Sequence, residues 1–179
     1  IGVRYGAILG SSDELTITVK GKGGHGAHPD TVIDPILLAS QIVQALQMLV
    51  SRELAADQSG VVSLCSIQGG NAFNIIPDSV VLKGTIRALD LRVREHILKR
   101  IPEICKGVAA AGRGDAEVSI KLGPPPLIND SQWVDRVKRC GSKLLGHENV
   151  IELEHPSMGA EDFAFVMQKA PGVFVRFGS

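Results

Sequence analysis

The stretch Leu15-Thr16-Ile17-Thr18-Val19-Lys20-Gly21-Lys22-Gly23-Gly24-His25-Gly26, with Asp34-Pro35-Ile36 shortly after it, decides the fold. Leu15, Ile17 and Val19 alternate with Thr16, Thr18 and Lys20, the period of a strand that buries one face. Glycines end that pattern. Asp34 before Pro35 then reads as an N-cap followed by proline at the first helical position. Ile36, Ala39, Val43, Leu46 and Val50 recur at spacings of three and four, which predicts an amphipathic helix to about Ser51.

Working outward, Val61 to Gln68 is a β-branched run ending at Gly69-Gly70. In Ser79 to Leu89, Val80, Leu82 and Ile86 alternate with Val81, Lys83, Thr85 and Arg87. Asp90 is placed to cap a second helix with Val93, Ile97, Ile101, Ile104 and Val108 on one face, ending at Gly112. Pro102 removes one helical N–H inside it, so a kink or a split is expected there. Ala116, Val118, Ile120 and Leu122 alternate as a fourth strand. The order is β-α-β-β-α-β, the split βαβ unit with four antiparallel strands and both helices on one face. Pro124-Pro125-Pro126 reads as an exit linker. Beyond it come a helix near Ser131 to Leu145, a strand near Val150 to Glu154, a helix near Gly159 to Lys169 and a strand near Gly172 to Phe177, alternating as the edge of an α/β sheet does. The chain opens without Met and closes on an apolar run, so both ends read as cuts inside a longer protein.

Composition narrows the function. Lys and Arg number 19 against 19 Asp and Glu, and aromatic residues are 4% of the 179. Nucleic-acid readers and acidic membrane surfaces need a basic surplus, and base-stacking platforms need aromatics, so neither partner is expected. No apolar run reaches the ~20 residues of a membrane span. Cys65, Cys105 and Cys140 are scattered and odd in number, which points to reduced thiols and a cytoplasmic protein.

Individually, the polar residues have ordinary readings. The glycine loop lacks the Gly-Lys-Ser/Thr ending of a phosphate cradle. His25, His28 and Asp30 form a His-x-x-His-x-Asp string, too few ligands on a proline-broken loop to hold a metal. His25 alone is a loop histidine, Arg87 a strand arginine, Asn74 the head of an Asx-turn, and Glu161-Asp162 acids that open a helix.

Together they are more specific. Gly21-Lys22-Gly23-Gly24-His25-Gly26-Ala27, Asp34-Pro35, Gly69-Gly70-Asn71-Ala72-Phe73-Asn74-Ile75-Ile76-Pro77-Asp78, Gly84-Thr85-Ile86-Arg87 and Met158-Gly159-Ala160-Glu161-Asp162-Phe163 run in order along nearly the whole chain. This succession resembles the dinuclear-metal amidohydrolases and metallopeptidases that include hippurate hydrolase, aminoacylase, indole-3-acetyl-amino-acid hydrolase and related zinc carboxypeptidases. The resemblance implies an α+β chain: a four-stranded antiparallel, ferredoxin-like lid at residues 13–123, inserted in an α/β zinc-peptidase-like catalytic domain. Residues 1–12 and 124–179 would be pieces of that catalytic domain.

The implied function is hydrolysis of the amide bond of N-acyl amino acids or small peptides, in a homodimer joined through the lid. Two divalent ions (zinc, manganese, cobalt or nickel) would lie in the parent enzyme. Their ligands would fall upstream of Ile1 and beyond Ser179, so none is held by this chain, which alone is expected to be inactive. His25 would stabilise the oxyanion, reaching into the neighbouring subunit's site. Asn74 and Arg87 would hold the substrate carboxylate, and Gly159 and Glu161 would line the site's wall. The alternative from another class is a non-catalytic dimerisation or binding module that retains the lid fold.

Overall fold

Alternation along Leu15 to Val19 becomes the central strand of a sheet because three apolar side chains on one face need two helices to cover them. The computed structural model describes residues 1–178; Ser179, the last residue of the expected second catalytic-domain piece, lies outside the described residues. In chain order, strands β1 (Gly2–Val3), β2 (Gly6–Leu9), β3 (Asp13–Lys20) and β4 (Gly24–His25) precede helix α1 (Pro35–Met48). Strands β5 (Gly60–Gln68), β6 (Ile75–Ile76) and β7 (Ser79–Ala88) precede α2 (Leu91–Ala111), and β8 (Asp115–Lys121), β9 (Leu127–Asn129), α3 (Ser131–Leu145), β10 (Ile151–Glu152) and α4 (Phe163–Met167) follow. These elements form two compact units.

The larger unit, Asp13–Ile86 with Arg92–Leu122, holds the four-stranded antiparallel sheet in the order β5-β7-β3-β8. Register puts Leu15 beside Gly84 and Ile120, Ile17 beside Leu82 and Val118, and Val19 beside Val80 and Ala116. Leu15, Ile17, Val19, Val80, Leu82 and Ala116 are all buried in the core. The Asp34 carboxylate accepts the Ile36 and Leu37 N–H groups, which starts α1 where the sequence places it.

Two helix faces differ from expectation. In α1 the buried stripe is Leu38, Ala39, Ile42 and Leu46, while Ile36 is exposed. Its sequence is apolar almost all round, so periodicity leaves the contact face open by about one residue. In α2 the stripe is Val93, Ile97, Ile101, Cys105 and Ala109, a strict i, i+4 ladder. Cys105 takes the place expected for Ile104, and burial pushes its thiol up to about 12, an inert core group. Pro102 does not split this helix, which runs unbroken from Leu91 to Ala111. Packing of the five-residue stripe offsets the one lost backbone hydrogen bond.

Within the same unit, Asp13 is fully buried and receives two hydrogen bonds from Arg94, Nε to Oδ2 at 2.9 Å and Nη2 to Oδ1 at 2.5 Å. This forked pair joins the start of β3 to the first turn of α2.

The smaller unit comprises Ile1–Ser12, Arg87–Leu91 and the chain from Gly123 onward. Here β1 pairs in parallel with β10, and β2 pairs antiparallel with β9 through a bulge between Ala7 and Leu9. Ile8, Leu9, Leu127 and Ala164 form its core, with Leu153, Met167 and Phe174 packed against them. The strand expected near Gly172 to Phe177 is reduced to one bridge, Arg176 to Gly2, because β1 offers only two residues to pair with. The buried Asn129 amide extends that pairing: its Nδ2 donates to the Arg4 and Phe174 carbonyls, and its Oδ1 accepts the Phe174 N–H. The helix expected over Gly159 to Lys169 shortens to Phe163–Met167, since the Gly159 carbonyl is taken by the Gly10 N–H at 2.8 Å. No helix among the described residues is long and apolar enough to cross a membrane.

Candidate functional site

In the larger unit the glycine loop folds against the loop 69–78. Strands β4 and β6 pair antiparallel, Gly24 with Ile76 and His25 with Ile75. The Gly21 N–H donates to the Asp78 carbonyl and the Gly23 N–H to Asp78 Oδ1, both at 2.8 Å. The Gly26 N–H donates to the Asn74 carbonyl at 2.9 Å. A Cβ on Gly21 would lie 2.1 Å from the Ile33 carbonyl oxygen, and one on Gly23 2.6 Å from that of Ile76. Gly23 therefore serves the close approach of the two loops, and Gly21 that of the chain at Ile33 just before α1.

The arrangement sets His25 opposite Ile75 and Gly26 against the Asn74 carbonyl on paired backbone, with His25 and Asn74 both exposed. His25 Nδ1 accepts the Ala27 N–H at 3.1 Å. With Nδ1 accepting, the ring proton of the neutral imidazole sits on Nε2, which is left as an outward donor. The Asn74 side-chain amide makes no hydrogen bond to another described residue, so donor and acceptor are both available. The His28 ring lies 5.7 Å from that of His25, tilted by 50°.

In the smaller unit Arg87 reaches the start of the turn that carries Gly159 and Glu161. The Gly10 N–H is shared between the Ser157 and Gly159 carbonyls, at 2.9 and 2.8 Å, and Ser157 Oγ accepts the Gly159 N–H at 3.1 Å. Arg87, half-buried, reaches from Nη1 to the Met158 carbonyl at 3.5 Å. Glu161 Oε1 accepts the Asp162 N–H at 3.1 Å, so this acid shapes its own turn and Asp162 is the N-cap of α4. One residue that sequence reasoning passed over supports Arg87. Fully buried Ser11 donates its N–H to the Ala88 carbonyl at 2.7 Å and accepts the Ala88 N–H on Oγ at 3.0 Å. Nothing in the pair Ser11-Ser12 signals this role.

The remaining histidines lie elsewhere: His96 against Glu53, His155 beside Glu154, and His147 in a short turn. Among the described residues no three His, Cys, Asp or Glu side chains converge as a metal ion requires. The side chains present do not fit a dinuclear centre.

A four-stranded antiparallel split βαβ sheet with helices α1 and α2, extended by a second α/β unit, is an α+β chain. Residues 10–113 match the model of the peptidase dimerisation domain, and the chain belongs to that M20 family. It is 38% identical over 176 residues to hippurate hydrolase of Campylobacter jejuni, covering 97% of this chain and 46% of that protein. It is 36% identical over 179 residues to N-acetyl-L-cysteine deacetylase of Bacillus subtilis, covering 100% of this chain and 42% of that one. The crystal structure of Bacillus subtilis YXEP, described as a dinuclear metal binding peptidase from the M20 family, superposes with a TM-score of 0.77 at 28% identity, covering 97% of this chain and 42% of that one. The chain thus spans less than half the length of the curated relatives it matches.

Proposed function

We propose that the parent protein is a metal-dependent hydrolase of the amide bond of N-acyl amino acids or small peptides. In this reading residues 13–123 are its lid and dimerisation domain, and residues 1–12 and 124–179 are parts of its catalytic domain. The observation that carries the reading is the His25 tautomer: with Nδ1 accepting the Ala27 N–H, Nε2–H is left as an exposed donor. Such a donor complements a developing oxyanion. Arg87 and Asn74 supply the charge and the amide that a free carboxylate needs, and Gly159 and Glu161 line the wall. The ions, zinc, manganese, cobalt or nickel, are left to segments outside this chain, whose own share is binding and oxyanion stabilisation.

The proposed homodimer has a physical basis in the sheet. Both outer strands, β5 and β8, have an unpaired edge. In β8, Asp115, Glu117 and Lys121 guard it, whereas β5 (GVVSLCSIQ) carries no charge. An uncharged nine-residue edge invites pairing. Beside it Ser40, Val43 and Gln44 of α1, with Leu64, Cys65, Ser66 and Ile67, line a largely apolar groove of about 460 Å³. A second copy set there about a two-fold axis would cover both, and His25 would serve the partner's site. The thiols Cys65, Cys105 and Cys140, all unpaired, suit a reducing, cytoplasmic setting.

Kinetics of the full-length parent on hippurate test the reading. His25→Ala should lower kcat by on the order of 100-fold with a smaller change in KM, because the donor acts mainly in the transition state. Arg87→Ala should instead raise KM and erase the preference for a free carboxylate over its amide. A metal-loaded parent without turnover on any N-acyl amino acid or peptide would leave the non-catalytic binding module as the answer.

A further inference from the structure

Phe73 is the most exposed apolar side chain of the larger unit, at 103% of its reference accessibility. It stands at the tip of the loop 69–78, one residue before Asn74, among exposed Asn71, Ala72 and Asn74. The loop that carries it is anchored. Asp78 accepts from Gly21 and Gly23, Ile76 and Ile75 pair with Gly24 and His25, and the Asn74 carbonyl accepts the Gly26 N–H. Phe73 thus directly precedes a stretch of backbone tied to the strand of His25, and its ring is left exposed.

A whole phenyl ring left exposed on the loop that carries Asn74 and pairs with the strand of His25 matches a ligand with a polar end and an apolar end. An N-acyl amino acid is such a molecule: its carboxylate and amide face the polar groups, and its acyl chain extends beyond them. We infer that Phe73 is a specificity-determining residue that receives the acyl half of the substrate and favours aromatic over small acyl groups. The inference rests on the hydrolase reading above and adds the acyl preference to it.

The test uses full-length parent enzyme and two substrates that share one amino acid, N-benzoylglycine and N-acetylglycine. Phe73→Ala should lower the ratio of kcat/KM for benzoyl over acetyl on the order of 10-fold or more. Phe73→Leu, which keeps an apolar surface, should restore part of that ratio. Inhibition by benzoate relative to acetate should weaken in parallel, as a readout independent of turnover. An unchanged ratio in an active Phe73→Ala enzyme overturns the inference and leaves the hydrolase reading standing. An equal fall on both substrates assigns the ring a structural role, and a loss of dimer at unchanged ratio assigns it to the subunit interface; either outcome overturns the inference. A parent inactive on both substrates and on other N-acyl amino acids removes the underlying reading as well.

Discussion

Removing the guanidinium from the Asp13–Arg94 pair should destabilise the larger unit strongly. The Asp13 side chain is 0% exposed and that of Arg94 11%, with forked contacts of 2.9 and 2.5 Å. Arg94→Met keeps the apolar stem but leaves a buried carboxylate without its main partner, a change that costs about 3–5 kcal/mol. At an m-value of about 2 kcal/mol/M in urea, the lower figure moves the unfolding midpoint down by about 1.5 M. The sole tryptophan, Trp133, lies in α3 of the other unit, so far-UV circular dichroism, to which the 21-residue α2 is the largest helical contributor, is the appropriate probe. Asp13→Asn should cost less, because the partly exposed Arg94 still reaches water. The double variant should recover about 1.5 kcal/mol or more relative to the sum of the two, the mark of a coupled pair. A midpoint for Arg94→Met within about 0.3 M of the parent, or strict additivity in the cycle, would refute the assignment of this pair as the tie between β3 and α2.

Three further outcomes follow from single contacts. Arg100 first, and His96 after it, hold Glu53 below the usual carboxylate range by hydrogen bonding to its charged form. Its folded-state pKa is depressed, so its contribution is present at neutral pH and lost as pH falls through that value; urea midpoints should drop below about pH 4 and Glu53→Gln should flatten that drop, whereas parallel curves would deny the link. Cys65 lies near the middle of β5, so mild oxidation should join two copies through it; Cys65→Ser should abolish the product although the exposed Cys140 remains, and crosslinking that persists would place the contact elsewhere. Dialysed chain should retain no stoichiometric zinc or manganese, and two tightly held equivalents by elemental analysis would mean that ligands do converge here.

Elements whose signal is local were legible from residues alone. The threonine-separated Leu15, Ile17 and Val19 can bury only one face, and Asp34 before Pro35 can only begin a helix, so β3 and α1 lie where periodicity and capping place them. Elements that depend on partners distant in sequence were not. Leu127–Asn129 is a strand only because Gly6–Leu9 lies beside it, and its three residues carry no period. Gly172 to Phe177 reads as a strand in isolation, yet β1 supports a single rung. Pro102 reads as a breaker by its ring chemistry, but the burial of five side chains along α2 outweighs one missing hydrogen bond.

The candidate site divides along the same line. The glycines around His25 are visible as composition, but their purpose is not: only the 2.6 Å approach of a would-be Cβ on Gly23 to the Ile76 carbonyl shows that one loop is laid against the other. Sequence separates His25 from Asn74 by nearly fifty residues, and the pairing of His25 with Ile75 removes that distance. The tautomer depends on the Ala27 N–H two residues on, a contact that no spacing rule specifies. Sequence therefore gives the kinds of group available for recognition, and backbone pairing between loops gives their direction. The same pairing explains why Phe73 stays in water: with Asn74, Ile75, Ile76 and Asp78 all committed to the glycine loop, the residue before them has no core within reach. An apolar ring left exposed next to anchored backbone gains burial only from something that arrives.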